Sequence, residues 1–481
     1  MKLKTLLKGY HFTGAEKGLD TDVTGITHDS RIVRPGVLYV CLEGLRTDGH
    51  LYAPQAVESG AVAVVAARPL ALPVPTLVVE DTRHALSYLS ARYFAHPSHT
   101  LNVTGVTGTN GKTTTTHFLQ AIYSAAGRRC AIIGTVGIKI GDDYLPGKMT
   151  TPEAFDLHRL FYEMRKNQFT DVAMEVSSHS LTWQRVEHVR FNRAVFTNLS
   201  HDHLDFHKNM EEYFMAKTHL FALLREEEGR PAAIINGDDA YGRRLVKMLR
   251  VPVLTFGFRE GVDVRAGISG QSMSATEMVV KAGKKEFELE VHIPGKFNAY
   301  NALAAAATAL AEGVDTESIT AGIDAVRSVP GRLEAVNFQQ EYHIFIDFAH
   351  TPDGLEKVLQ ALQEAPHRRL ITVFGCAGDR DKTKRPLMGR IAEQYSDIVV
   401  VTSDNPASED PDAIIRDIVA GMSGKAVVLP LRHDAVRYAL SLAGKGDIVL
   451  LAGKGHEDYQ LMGEEYQPYS DRREVETYFI S

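Results

Sequence analysis

Val103-Thr104-Gly105-Val106-Thr107-Gly108-Thr109-Asn110-Gly111-Lys112-Thr113-Thr114 is the stretch whose reading decides the fold. Its first residues are apolar and β-branched and predict a strand, while a helical period of apolar positions begins at Thr115. Between them lies an anion site. Glycines let backbone N–H groups close on phosphate, Lys112 supplies a cation, the Thr113 hydroxyl suits magnesium, and the helix N-terminus adds positive potential. The bland alternative is a Gly/Thr turn that only joins strand to helix, and it leaves the Gly-Lys-Thr placement between both flanks unexplained. Val106 stands where the first glycine of GxxxxGK[ST] would be, so ordinary P-loop motors and kinases are not the expected relatives.

Working outward, short β-branched runs at residues 62–65, 76–79 and 101–106 alternate with helical periods at 85–93 and 113–126. That is the pattern of βα units around a mainly parallel sheet. It recurs in the C-terminal third, where runs at 371–374, 398–402, 426–429 and 448–451 are separated by helix-like stretches. The class is α/β, with a central P-loop-type sheet and a Rossmann-like C-terminal part. Alternation of Thr276, Met278, Val280 and of Phe287, Leu289, Val291 predicts a small antiparallel element within residues 263–292. Pro-Ser at 97–98 and Val-Pro-Gly-Arg at 329–332 interrupt helical patterns, which places three domains at 1–98, 99–330 and 331–481.

At 481 residues the chain exceeds one ordinary hydrophobic core, consistent with about two to four domains. Net charge of −7 argues against nucleic acid as the main partner, since such binding needs a basic surface. Cys41, Cys130 and Cys376 are widely spaced and odd in number, which suggests neither a disulfide framework nor a zinc site and fits a reducing compartment. Residues 1–18 lack the apolar run of a signal peptide, and no apolar stretch approaches the ~20 residues needed to span a bilayer. A cytoplasmic protein without membrane insertion is expected.

Three further segments carry chemistry. Residues 171–179 read as a strand running into a polar turn, which would put Glu175 at the strand's end near the phosphate loop as a magnesium ligand; a surface acid is the competing reading. Residues 197–207 hold three histidines and two aspartates in a short loop, from which His203 is kept as a candidate metal ligand against a plain polar loop. Lys217 sits among apolar neighbours of a helical segment. Such a lysine usually snorkels to water, but a partly buried amine with a lowered pKa can take up carbon dioxide as a metal-binding carbamate.

In this order GTNGKTT (108–114), EVSSH (175–179), NLSHDHLDFH (198–207) and YFMAK (213–217) closely resemble the Mur ligase family. The resemblance continues through PGKFNAYNALAA (294–305), PGRLE (330–334), DFAHTP (347–352), GDRDKTKRP (378–386), SDNP (403–406) and GKGHE (453–457), and so spans essentially the whole chain. Thr150-Thr151-Pro152, AHTPD and the DNP motif at Asp404 are similar to the members that add the third residue of the peptidoglycan stem peptide. The resemblance implies ATP-dependent joining of a diamino acid to UDP-N-acetylmuramoyl-L-alanyl-D-glutamate through an acyl phosphate, by a monomeric enzyme that uses Mg²⁺.

Roles follow from the same resemblance. Gly108, Thr109, Asn110, Gly111, Lys112, Thr113 and Thr114 would hold the ATP phosphates, Asn298 and Asn301 the adenine side, and Arg332 and Asp347 the nucleotide from the third domain. Ser30, with Leu45, Arg46 and Thr47, would form the uridine site, and Thr150, Thr151, Ser177 and Arg185 would hold the muramoyl dipeptide. Trp183 stands where family members usually carry glutamine. Glu175, His203 and carbamylated Lys217, with Thr113, would organise the metal ions.

For the amino acid the resemblance points to Arg380, Asp404, Asn405, Pro406, Ala407, Gly453 and Glu457. Members that add meso-diaminopimelate typically read DNPR, with the arginine gripping the distal carboxylate. Ala407 removes that contact. DNPA is similar to the L-lysine version, with Asp404, Glu409 and Glu457 as partners for the ammonium and Arg380 for the α-carboxylate, so L-lysine is expected ahead of diaminopimelate. The alternatives are a related ligase such as a folylpolyglutamate synthase, and a regulatory protein that keeps the fold without catalysis.

Overall fold

Apolar strands followed by amphipathic helices organise the computed structural model, which describes residues 1–15, 17–44, 47–141, 143–145, 147, 149–224, 232–424 and 426–480. The chain forms two compact units. One comprises Met1–Gly105, Arg128–Ala194 and Ala216–Pro231, the other Val106–Gly127, Val195–Met215 and Ala232–Ser481.

In the first unit, Gly25–Thr27, Val37–Val40, Ala63–Ala66 and Thr76–Val78 form a parallel sheet in that order. The helix Thr82–Tyr93 starts where the Asp81 carboxylate accepts the N–H groups of Arg83 and His84. Its apolar face, Ala85, Leu86 and Leu89, joins Leu38, Val40, Val65 and Leu77 in one core. Each of the larger side chains gains about 1.5–3 kcal/mol from burial. The strand Asp171–Glu175, buried at every position, pairs in parallel with Cys130–Gly134, which continues antiparallel into Gly137–Ile140 and Asp143–Leu145.

In the second unit, the phosphate-loop helix Lys112–Ala125 packs against the alanine-rich helix Lys296–Ala311 and against Thr316–Asp324. The last approach is close: a Cβ on Gly322 would lie 2.4 Å from Ile122 Cα, so glycine is required there. Ala232–Asn236, Val253–Gly257 and Val264–Gln271 are parallel, and Thr276–Ala282 and Lys285–Val291 extend them as an antiparallel meander. Met278, Val280, Leu289 and Val291 face the core, as their alternation predicts.

A second sheet of this unit has the order Glu334–Val336, His343–Asp347, Ile448–Ala452, Leu370–Phe374, Ile398–Val401, Val427–Val428, with only the first strand antiparallel. Asp347, Asp404 and Gly453 therefore lie at or just beyond the carboxyl ends of parallel strands, where open α/β sheets bind ligands. The three cysteines are buried thiols. Among the described residues no helix is long and apolar enough to cross a membrane.

Candidate active site

The phosphate loop needs its glycines. Gly108 (φ +150°) could carry no Cβ, which would fall 1.9 Å from Thr197 Oγ1, and Gly111 (φ +87°) would place one 2.2 Å from Asn301 Oδ1. Thr197 and Asn198 clamp the turn: the Asn110 N–H donates to Asn198 Oδ1 (3.0 Å), and its carbonyl accepts from Thr197 Oγ1 (2.6 Å) and Asn198 Nδ2 (3.1 Å). Lys112 Nζ donates to the Gly108 and Thr109 carbonyls at 2.9 and 2.8 Å, which holds its charge over the loop.

Other expected nucleotide residues gather on this loop. Asn301 Nδ2 donates to Asn298 Oδ1 (3.1 Å), and Arg332 Nη2 donates to Thr113 Oγ1 (2.9 Å). Asp347 accepts the Leu333 N–H (2.6 Å); burial pushes its carboxyl up to about 6, against the pull of Arg332. Asp202, beside His203, is pushed up by burial, yet the charges of His203, His350, Lys384 and Lys112 outweigh this and hold it below the usual carboxylate range.

In the first unit Glu175 is 1% exposed, so it is not a surface acid. Its Oε1 accepts the Thr135 N–H (2.8 Å) and its Oε2 the Thr135 hydroxyl (3.0 Å), while no lysine or arginine pairs with it among the described residues. Thr135 also bonds Thr150 (3.1 Å); Thr151 Oγ1 donates to the Glu175 carbonyl (2.9 Å), and Arg185 donates to the Thr151 carbonyl (3.1 Å) while pairing with Glu153 (2.6 Å). Ser177 caps the next helical turn by accepting the Ser180 N–H. The Trp183 ring lies against the guanidinium groups of Arg83 and Arg185, at 5.2 and 4.9 Å. Lys217 is 1% exposed and does not snorkel. Ser30 lies in a short 3-10 turn capped by Asp29 and Thr47 beside the Glu43–Asp48 bridge, whereas Leu45 and Arg46 lie outside the described residues.

At the C-terminal sheet the fully buried Lys454 organises the polar cluster. Its Nζ donates to Glu457 Oε2 (3.0 Å) and Asn405 Oδ1 (3.1 Å) and stands 3.9 Å from Asp404 Oδ1; Asn405 Nδ2 also donates to Glu457. Gly453 (φ +108°) leaves room for Asp404, whose Oδ2 would lie 2.5 Å from a Cβ there. Ala407, at φ +49°, is tied through its backbone to the hairpin Tyr459–Met462 and Glu465–Pro468, donating to Leu461 O (3.0 Å) and accepting from Gly463 (2.9 Å). Arg380 is exposed and makes no ion pair among the described residues. Glu409 is not a free partner for an incoming ammonium: Arg385 (2.8 Å) and Lys382 (3.0 Å) already neutralise it.

Known proteins match along the same line. Models of the Mur ligase family catalytic domain, the Mur ligase middle domain and the Mur ligase glutamate ligase domain match residues 22–94, 106–309 and 331–455. A UDP-N-acetylmuramoyl-L-alanyl-D-glutamate–2,6-diaminopimelate ligase of Syntrophomonas wolfei is 44% identical over 479 residues, 98% of each chain. The chain belongs to the Mur ligase family. A second ligase of the same name, from Geobacillus thermodenitrificans, is 44% identical over 98% of both chains, and a solved structure of another is 30% identical with TM-score 0.70, covering 100% of this chain and 99% of that one.

As a Mur ligase, the chain is an ATP-dependent enzyme that forms amide bonds, with the three-domain architecture of the family. Thr135, Glu153 and Lys454 are the polar partners that motif reading does not reach. Lys454 lies inside the GKGHE run, and a lysine bracketed by two glycines at a strand end was the available signal. Thr135 and Glu153 carry none, because each meets its partner across the fold.

Proposed function

We propose that this ligase joins 2,6-diaminopimelate to the D-glutamyl carboxylate of UDP-N-acetylmuramoyl-L-alanyl-D-glutamate, as a cytoplasmic monomer in peptidoglycan precursor synthesis. The observation that carries the reading is the end-to-end similarity, 44% over 98% of both chains, to ligases of that name. This moves the expected amino acid from L-lysine to diaminopimelate. Lys454 lies against both Asp404 and Glu457, and Arg385 and Lys382 pair with Glu409, contacts that bear equally on the distal ammonium that L-lysine and diaminopimelate share. L-Lysine stays the second reading on one observation, Ala407 in place of an arginine.

Residues 108–114, with Asn298, Asn301, Arg332 and Asp347, bind ATP; Ser30 and residues 45–47 bind uridine, and Thr150, Thr151, Ser177 and Arg185 the dipeptide. Arg380, residues 404–407, Gly453 and Glu457 receive the amino acid. Domain limits at 98/99 and 330/331 accord with the segments that the three family models match.

A buried carboxylate without a cationic partner is costly unless it meets a metal, so Glu175 fits Mg²⁺, a hard ion that takes oxygen ligands. Thr113, Glu175, His203 and Lys217 as its carbamate would hold the ions. Bound Mg²⁺ supplies charge neutralisation between the γ-phosphate and the attacking carboxylate. Lys112 and the loop N–H groups orient the γ-phosphoryl group, which passes to a D-glutamyl oxygen as ADP departs. The amine of the incoming amino acid then attacks the acyl carbon, inorganic phosphate leaves with the bonding pair, and the ammonium proton is lost to solvent.

The test is phosphate release with UDP-muramoyl dipeptide and ATP, run with meso-diaminopimelate, L-lysine and L-ornithine. The proposal expects diaminopimelate to be turned over best. Release that depends on L-lysine alone would overturn the amino-acid assignment, and release with none of them would overturn the function.

A further inference from the structure

Asp353 joins three parts of the second unit through a single oxygen. Its Oδ2 accepts from Asn110 Nδ2 of the phosphate loop (2.7 Å), from the Ser200 hydroxyl of the loop that carries His203 (2.8 Å), and from Lys357 Nζ one turn along its own helix (2.9 Å). That helix, Pro352–Gln363, does not depend on Asp353. Thr351 caps it by accepting the Gly354 N–H, and Leu355, Val358, Leu359 and Leu362 bury its apolar face.

The carboxylate sits in the helix's first turn with Lys357 one turn along beside it. Asn110 has both backbone groups fixed by Thr197 and Asn198, so its side-chain amide is the part whose direction Asp353 sets. Ser200 in turn bonds Thr109: its N–H donates to Thr109 Oγ1 at 3.0 Å. The donors from two loops converge on one carboxylate oxygen, so the contact fixes the direction of their side chains relative to each other.

We propose that Asp353 is a positioning residue for the ligase reaction, a carboxylate from the C-terminal sheet's first helix that holds the phosphate loop and the His203 loop in mutual register for nucleotide. The inference rests on residues 108–114 being the nucleotide site. It assigns Asp353 no contact with substrate.

Titration calorimetry with Mg·ADP, steady-state kinetics in all three substrates and thermal melts on the full chain test it. Asp353→Ala is expected to weaken Mg·ADP and raise KM for ATP by about tenfold, the scale of a hydrogen bond to a charged group. KM for the other two substrates and Tm stay at wild-type values. Asp353→Asn, whose amide oxygen can accept from both loops, returns the nucleotide parameters to within about threefold. Lys357→Ala leaves them unchanged. Wild-type nucleotide binding by Asp353→Ala, an equal rise in all three KM values with a lowered Tm, or an Asp353→Asn variant as weak as alanine would each overturn the proposal. A wild-type chain that does not bind Mg·ADP would overturn the nucleotide-site reading and this inference with it.

Discussion

His158 is wholly buried in the helix Ala154–Lys166, and among the described residues neither ring nitrogen has a hydrogen-bond partner. Burial, aided by His188, His96 and His99, pushes its pKa down to about 3. The folded state therefore refuses a proton that the unfolded chain accepts near pH ~6.5, so stability falls as pH drops below that value. His158→Leu removes both the unpaired nitrogens and this linkage. Thermal melts are expected to show a higher Tm for the variant, with a larger gain at about pH 5 than at about pH 8. Lys112→Ala and Lys217→Ala should each lower turnover by at least about 100-fold while circular dichroism stays native, as for loss of one transition-state contact.

At the element scale, the strand-turn-helix around Gly111 tolerates no side chain. Gly111→Ala sets a Cβ against Asn301 and strains a positive φ, so it should abolish Mg·ADP binding in calorimetry. The turn after Gly378 and the loop that carries Glu409 are fixed to the helix Lys384–Tyr395 by a charge cluster instead. Arg385, 1% exposed, bonds Glu409 and Asp417, and its contact with Glu409, together with Lys382 and the Asp379 N–H, holds the Glu409 carboxyl down to about 2. A depressed carboxyl stabilises the fold above its unfolded pKa and loses that effect as pH falls through the folded one. Glu409→Gln should cost about 1.5–3 kcal/mol at neutral pH in denaturant melts, and the difference from wild type should shrink between about pH 4.5 and pH 2.

Elements of this kind were unequally legible. The strands at 370–374 and 448–452 announce themselves as apolar β-branched runs, and the phosphate helix by its Gly-Lys-Thr start. The pairings Arg385–Asp417 and Lys454–Asn405 have no local periodicity, because partners 32 and 49 residues apart meet only after the sheet has formed. Glu409 was open to misreading as a substrate ligand for this reason. Trp183 likewise reads as a departure in sequence, and only in three dimensions as the ring against Arg83 and Arg185.

At the scale of the whole molecule, family and reaction class were legible because ten motifs in fixed order leave little freedom. The choice of amino acid was not, because Ala407 reports the loss of one contact and nothing about what replaces it. The central claim is chemical: ATP activates the D-glutamyl carboxylate as an acyl phosphate before the amine attacks. UDP-muramoyl dipeptide with ¹⁸O in that carboxylate, ATP and diaminopimelate, followed by mass analysis of the released phosphate, tests it most directly. An acyl-phosphate intermediate puts one ¹⁸O in each phosphate formed, since the oxygen that bonds phosphorus departs with it. Unlabelled phosphate accompanied by labelled product would contradict it.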